Sequence, residues 1–193
     1  MYYFITASKD TYITENSPGY VVQYPNSTDK NYGGDEILEL KKDFLNEFST
    51  SSFCVSRMLT QFDYTDLINN LEISGGLIPS ESAKYYMRYY EVEGQKESNQ
   101  IYSLSSHLIH QTLHWQEGTG KHFDNPKTID EVSWKNYKSG SAWSSTEGGT
   151  MTSGSRTASV GGGVWLTNVP QASQSFSNQS ADVEMDVTDL VNK

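Results

Sequence analysis

Phe53-Cys54-Val55-Ser56-Arg57-Met58-Leu59-Thr60-Gln61-Phe62-Asp63 is the most continuous apolar-rich stretch of the chain. Alternate residues divide it into two faces, with Val55, Arg57, Leu59 and Gln61 on one and Cys54, Met58 and Phe62 on the other. Successive side chains of a strand point to opposite sides of its sheet, so apolar groups on both sides predict a central strand covered from above and below. Arg57 is the anomaly in it. A cation among apolar neighbours needs a compensating group, and the carboxylates of Asp63 and Asp186 are the expected candidates.

Outward from this strand the chain reads as short strands punctuated by turn residues. Toward the N-terminus, Tyr2 to Thr14 alternates loosely and ends at the turn Asn16-Ser17-Pro18-Gly19; a polar loop spans Asn26 to Gly34, and Glu36 to Lys41 predicts a strand. Toward the C-terminus, Asp66 to Leu71 has the spacing of one helical turn, and Ser82 to Val92 and Gln100 to Leu113 predict two strands around a polar turn at Gly94 to Asn99. Trp115 to Pro126 reads as loop. Ser139 to Gly163, rich in Gly, Ser and Thr, predicts a long mobile loop anchored by Trp143. A last strand, Asp182 to Val187, leads into the acidic turn Thr188-Asp189-Leu190-Val191. Strands at roughly ten-residue intervals without a long amphipathic helix predict an all-β fold, a jelly-roll-like antiparallel β-sandwich with long loops.

Composition agrees. The 193 residues suit one domain, 1–193, and 26 Ser and 16 Thr against 6 Ala favour strands and turns over helix interiors. A net charge of -10 without a basic block opposes binding to nucleic acid. The lone Cys54 supplies neither an intramolecular disulfide nor a multi-cysteine metal site; it fits synthesis in a reducing cytoplasm and reads as a buried, inert thiol. The first ten residues lack the basic and apolar regions of an export signal, and no run approaches the ~20 apolar residues of a membrane span.

Patterns that carry chemistry are incomplete. Gly118-Thr119-Gly120-Lys121 evokes a phosphate loop, but Trp115 and His122 occupy positions where that motif needs Gly and Ser or Thr. Asp29, Asn31 and Asp35 have the alternate spacing of a calcium loop, yet Gly33 and Leu40 stand where it needs an oxygen ligand and Glu, so an Asx-type turn is the stronger reading. His110 and His114 lie about 13 Å apart on a strand, too far for one zinc ion. Cys54 has no visible catalytic partner, and no nucleophile elbow exists. Trp115, Trp134, Trp143, Trp165 and the 13 Tyr could form a stacking platform for sugars, fill a sandwich core and its loop corners, or anchor a protein contact; for each Trp core or corner is the stronger reading, since large rings in sandwiches are mostly buried.

Eight segments in order carry a resemblance over most of the chain. They are Asp10-Thr-Tyr-Ile, Asn31-Tyr-Gly-Gly-Asp-Glu-Ile-Leu-Glu-Leu, Ser56-Arg-Met-Leu-Thr-Gln-Phe-Asp63, Ala83-Lys-Tyr-Tyr-Met-Arg-Tyr-Tyr, Trp115-Gln-Glu-Gly-Thr-Gly, Val132-Ser-Trp134, Trp143 and Asp186-Val-Thr-Asp-Leu-Val. Together they resemble the disaggregatase-related (DNRLRE-type) β-sandwich domain. Gly118-Thr-Gly-Lys-His-Phe-Asp-Asn-Pro-Lys-Thr and Gln171-Ala-Ser-Gln-Ser-Phe are similar to the version in virion structural proteins of marine T4-like cyanophages.

The resemblance implies a non-enzymatic virion protein with no catalytic residue, cofactor or metal, working through contacts with other virion proteins and with copies of itself. Attachment to host-surface polysaccharide through exposed aromatics is the alternative. Its motifs make sense as a framework built by Arg57, Asp63, Trp115, Glu117, Gly118, Gly120, Trp134, Asp186 and Thr188, and Trp143 and Trp165 are the candidate contacts to a partner. The family pattern continues through further strands after the Asp186-Val-Thr-Asp-Leu-Val segment, so a sheet edge is expected that a neighbour or a continuation of the chain covers.

Overall fold

The computed structural model describes residues 2–15, 28–47, 50–70, 83–92, 100–143, 151–153, 162–177 and 182–192, with the side chains of 43–54, 66, 67, 70 and 151–153 left aside. Its regular elements are almost all strands. The long apolar-rich segment forms β3 (Thr50–Phe62), the middle of an antiparallel sheet in which it pairs with β1 (Ala7–Glu15) on one side and β2 (Lys42–Glu47) on the other. The helical turn predicted after it is α1 (Thr65–Asn70).

Both faces of this sheet are used, as the alternation requires. Ile13 stands opposite Arg57, and with Leu59 and Val55 it faces a core of Trp115, Val132, Trp134, Trp143 and Val164. On the opposite face Tyr12, opposite Met58, stacks on Tyr32 with ring centroids 4.4 Å apart. Ser56 and Thr60 on that face hydrogen-bond to Glu39 and Tyr89 respectively.

Four two-stranded antiparallel pairings complete the described fold. β4 (Tyr86–Tyr89) pairs with β11 (Val183–Asp186), and β5 (Tyr102–Ser106) with β10 (Ala172–Phe176). β6 (Asn136–Lys138) pairs with β7 (Ser141–Ala142), and β8 (Met151–Ser153) with β9 (Val164–Leu166). A helical turn α2 (Thr188–Val191) follows β11. Ala172, Met185 and Leu190 form a second, smaller core under these C-terminal strands, joined by half-buried Met87, Leu104 and Val187.

Several predicted boundaries move. Residues 36–41 form no regular strand: the Ser56 hydroxyl donates to Glu39 O at 2.7 Å and accepts from Lys41 N–H at 2.6 Å, so the ladder starts only at Lys42. Residues 2–6 are irregular, and regular pairing starts at Ala7. The strand predicted to reach Leu113 ends at Ser106, since Thr112 N–H and Leu113 N–H turn back onto His110.

The predicted loop from 139 to 163 contains β7 and β8, whose backbone groups pair with β6 and β9. Its segments 144–150 and 154–161, the turns at 16–19 and 94–99, Ser82, Leu71 and the Cys54 side chain lie outside the described residues. Among the described residues no helix is long and apolar enough to cross a membrane.

Candidate functional site

Two irregular segments, 28–40 and 117–131, lie against each other beside β1 and form the most elaborately bonded part of the described structure. Asn31 is its centre and is fully buried. Its amide nitrogen donates to Glu117 O at 2.6 Å and Val132 O at 2.7 Å, while its amide oxygen accepts from Gly33 N–H at 3.0 Å and Gly120 N–H at 2.8 Å. One side chain thus satisfies four backbone groups that no ladder reaches. The Gly33 bond is the Asx-type turn that the local sequence predicts; the other partners are 86 to 101 residues away.

Glycines make this approach possible. A Cβ on Gly34 would lie 2.5 Å from Thr119 O, one on Gly118 would lie 2.5 Å from the Asn31 amide, and one on Gly33 would overlap the Glu117 carbonyl. Gly118 also has φ +81°, a conformation that side chains other than glycine's disfavour. Backbone bonds from Gly34 N–H to Gly120 O at 2.8 Å and from Asn31 N–H to Thr128 O at 2.9 Å run alongside.

Carboxylates close the periphery. Glu117 accepts from Asp10 N–H of β1 at 2.7 Å, tying the double loop to the central sheet. Asp35 accepts from His122 N–H at 3.0 Å and from the Tyr12 hydroxyl at 3.0 Å. Burial, reinforced by Asp35, drives the Tyr12 phenol far above its usual value, so it remains a donor. Asp124 accepts from Thr128 Oγ1 at 2.6 Å and Lys121 N–H at 2.8 Å, and these hydrogen bonds hold its carboxyl below the usual range. Asp130 accepts from both the N–H and the hydroxyl of Thr119, at 3.1 and 2.9 Å. Lys30 donates to His122 O at 2.5 Å and lies over the Tyr32 ring, and burial lowers its ammonium pKa.

The Arg57 side chain has aromatic neighbours and a backbone acceptor. Its guanidinium lies between Trp134 and Trp165, 4.7 and 5.6 Å from their ring centroids, and donates to Gly162 O at 2.5 Å. His107 stacks on Trp165 at 5.1 Å, and burial together with the Arg57 charge lowers its pKa. Cation–π contact contributes to compensating this charge, and the two carboxylates expected to do so are engaged elsewhere. Asp63 instead accepts from Thr65 N–H at 2.9 Å at the start of α1, and Asp186 from Thr188 N–H at 3.0 Å.

Apart from Asp63 at the start of α1, the framework residues fall into two places. Arg57, Trp115, Trp134, Glu117, Gly118 and Gly120 meet around the central sheet and its double loop. Asp186 and Thr188 sit under the second core, where Thr188 Oγ1 accepts from Tyr85 N–H at 3.0 Å and a cleft of about 280 Å³ opens toward Lys84 and Asp189. Trp143, expected to touch a partner, is fully buried and donates through Nε1 to Ser133 O at 2.9 Å; the apolar core claims its ring. Trp165 is half-buried inside the Arg57 stack.

Two exposed surfaces stand apart from the predicted site residues. Tyr86, Arg88 and, just past its end, Tyr90 share the outer face of β4, where Arg88 pairs with Glu184 of β11 at 3.0 Å; the alternation of Tyr85, Met87 and Tyr89 with Tyr86, Arg88 and Tyr90 marks rings on both faces. Phe123 stands out from the double loop with no periodic pattern to mark it. Among the described residues no three His, Cys, Asp or Glu side chains gather as a metal site. Comparison with protein-family models, with curated proteins and with solved structures finds no match to this chain.

Proposed function

We propose that the chain is a non-enzymatic structural component of a bacteriophage virion that acts through protein–protein contacts on a jelly-roll-like β-sandwich. The observation that carries the non-enzymatic part is the fate of the motif residues. Asn31, Glu117 and Asp35, polar groups of the most bonded site, are engaged with the chain's own backbone or hydroxyls, and Asp130 is engaged through one of its two oxygens. Side chains that orient their own scaffold support a surface for contacts, whereas a reaction centre leaves groups aimed at a substrate. The virion assignment rests on the ordered sequence motifs and on the cyanophage-like wording around Gly118 and Gln171.

Mass spectrometry of purified virions from the source phage tests it. The chain should be present in stoichiometric amount, and its absence from particles would refute the assignment.

The outer face of β4 favours a second reading, attachment to polysaccharide. Tyr86 and Tyr90 project on one side with the Arg88–Glu184 pair beside them, rings and planar polar groups of the kind that stack on and hydrogen-bond to sugars. Loss of glycan binding in Tyr86→Ala and Tyr90→Ala, with unchanged particle incorporation, would favour that reading over the first.

A further inference from the structure

Large apolar side chains stand exposed on the double loop, where internal bonding is densest. Phe123 is 92% exposed, Ile129 61% and Ile37 59%. Phe123 and Ile37 flank the bond from His122 N–H to Asp35, one residue and two residues from it, so they belong to one region of the surface. A solitary exposed apolar side chain is ordinary; a group of them on a loop whose backbone is already so fully bonded is not.

The bonding holds Phe123 in place from both sides. His122 is fixed through its N–H to Asp35 and its carbonyl to Lys30, and Asp124 is fixed through Lys121 N–H and the Thr128 hydroxyl. The His122 ring meets the Phe123 ring edge-on, with centroids 4.8 Å apart and planes at 80°. An aromatic side chain presented on a loop that needs no further ordering has the architecture of an interface anchor, because little conformational entropy is lost on docking.

The charge around it selects the partner. Segments 28–40 and 117–131 carry eight acidic residues against three basic ones, half of the chain's net charge of -10 in 28 of its 193 residues. A second copy would bring the same negative field to the contact, as would an anionic membrane. Phenylalanine has no polar atom to place in a hydrated glycan groove, and a dry apolar pocket suits it better.

We infer that the double loop is a preformed docking face for a different protein, one that offers an apolar pocket for Phe123 rimmed by Lys and Arg. This deepens the protein-contact reading above and rests on it.

Photo-crosslinking decides the matter. A photoreactive benzoylphenylalanine replaces Phe123 in the full chain, produced in its own host during infection, with the same probe at Tyr90 as control. The expected product is one defined adduct from position 123, absent from position 90, joined to a peptide of another protein that carries flanking Lys or Arg. With that protein purified, Phe123→Ala should weaken binding at least tenfold, and added NaCl should weaken it further. The Tm of Phe123→Ala should stay at the wild-type value, since the side chain is 92% exposed, which separates lost docking from lost folding.

An adduct with a protein outside the particle would keep the docking face and overturn the virion assignment. No adduct above the control, an adduct only with a second copy, or unchanged affinity of Phe123→Ala would overturn the docking face itself.

Discussion

The double loop of 28–40 and 117–131 and the C-terminal strand pairs β4–β11 and β5–β10 stabilise their backbones in opposite ways. The strand pairs use regular ladders, yet their core is small, with Ala172, Met185 and Leu190 at its centre. The double loop has no ladder. Buried Asn31, four acidic side chains and glycines without room for a Cβ satisfy and fix its backbone instead. The difference teaches that local rigidity follows from how completely polar groups are paired and how closely segments approach, and regular secondary structure is only one way to achieve both.

Substitutions that separate the two regions should differ most where a Cβ has no room. Gly33→Ala would drive its new methyl into the Glu117 carbonyl, and we expect a loss of at least about 4 kcal/mol or no folded protein, read by urea denaturation. An exposed site on the regular strands, such as Ser103→Ala in β5, should change stability by no more than about 0.5 kcal/mol. Equal denaturation midpoints for the two variants would mean that the two segments of the double loop are not in contact.

Asn31→Asp comes next. It sets a carboxylate oxygen against the carbonyls of Glu117 and Val132, where the amide donated, and should cost about 3 kcal/mol by the same measurement. In the core behind the double loop, Trp143→Phe leaves Ser133 O without its indole donor and opens a void, for about 2 kcal/mol. On the other side of the comparison, Thr188→Val removes the acceptor of Tyr85 N–H and should cost about 1 kcal/mol. Its effect should remain local: exchange of the β4 and β11 amides quickens while the Leu59 amide in β3 is unaffected. Spread of that effect to β3 would show that the two regions unfold as one.

The smallest effect is a pH dependence at the Arg57 stack. His107 has a folded pKa below its ordinary 6.5, through burial and then the Arg57 charge, so the unfolded chain takes up the proton first as pH falls. Its neutral form therefore contributes full stability above about pH 6.5, and that contribution declines as pH falls below this value. His107→Phe, which keeps a ring against Trp165, should flatten the decline in Tm between pH 7 and pH 5 relative to wild type. Parallel pH profiles would remove His107 from the account.

Much of the central sheet was legible because alternation along Phe53 to Asp63 reports burial directly. The strand at Val183–Asp186 and the helical turn α1 were legible for similar local reasons. The strand predicted at Glu36 to Lys41 failed because the Ser56 hydroxyl takes the Glu39 carbonyl and the Lys41 N–H, while Ile37 and Leu40 stand exposed. The glycines at 33, 34, 118 and 120 signalled special backbone, but not that the two pairs face each other. Asn31 showed its local turn and concealed its bonds to Glu117, Gly120 and Val132, since no short-range pattern encodes partners so far along the chain. Arg57 announced that it needed compensation, without revealing the two indoles that stand beside it.

Native-state hydrogen exchange tests the central claim, that the double loop is a rigid frame and presents Phe123 without further ordering. The amides of Asn31, Gly34, Gly120 and Val132 all donate within it or to its border. They should exchange as slowly as the Leu59 amide in β3 and more slowly than the amides of β4 and β11. Exchange of those four at the rate of an open loop, with β3 still protected, would contradict the account.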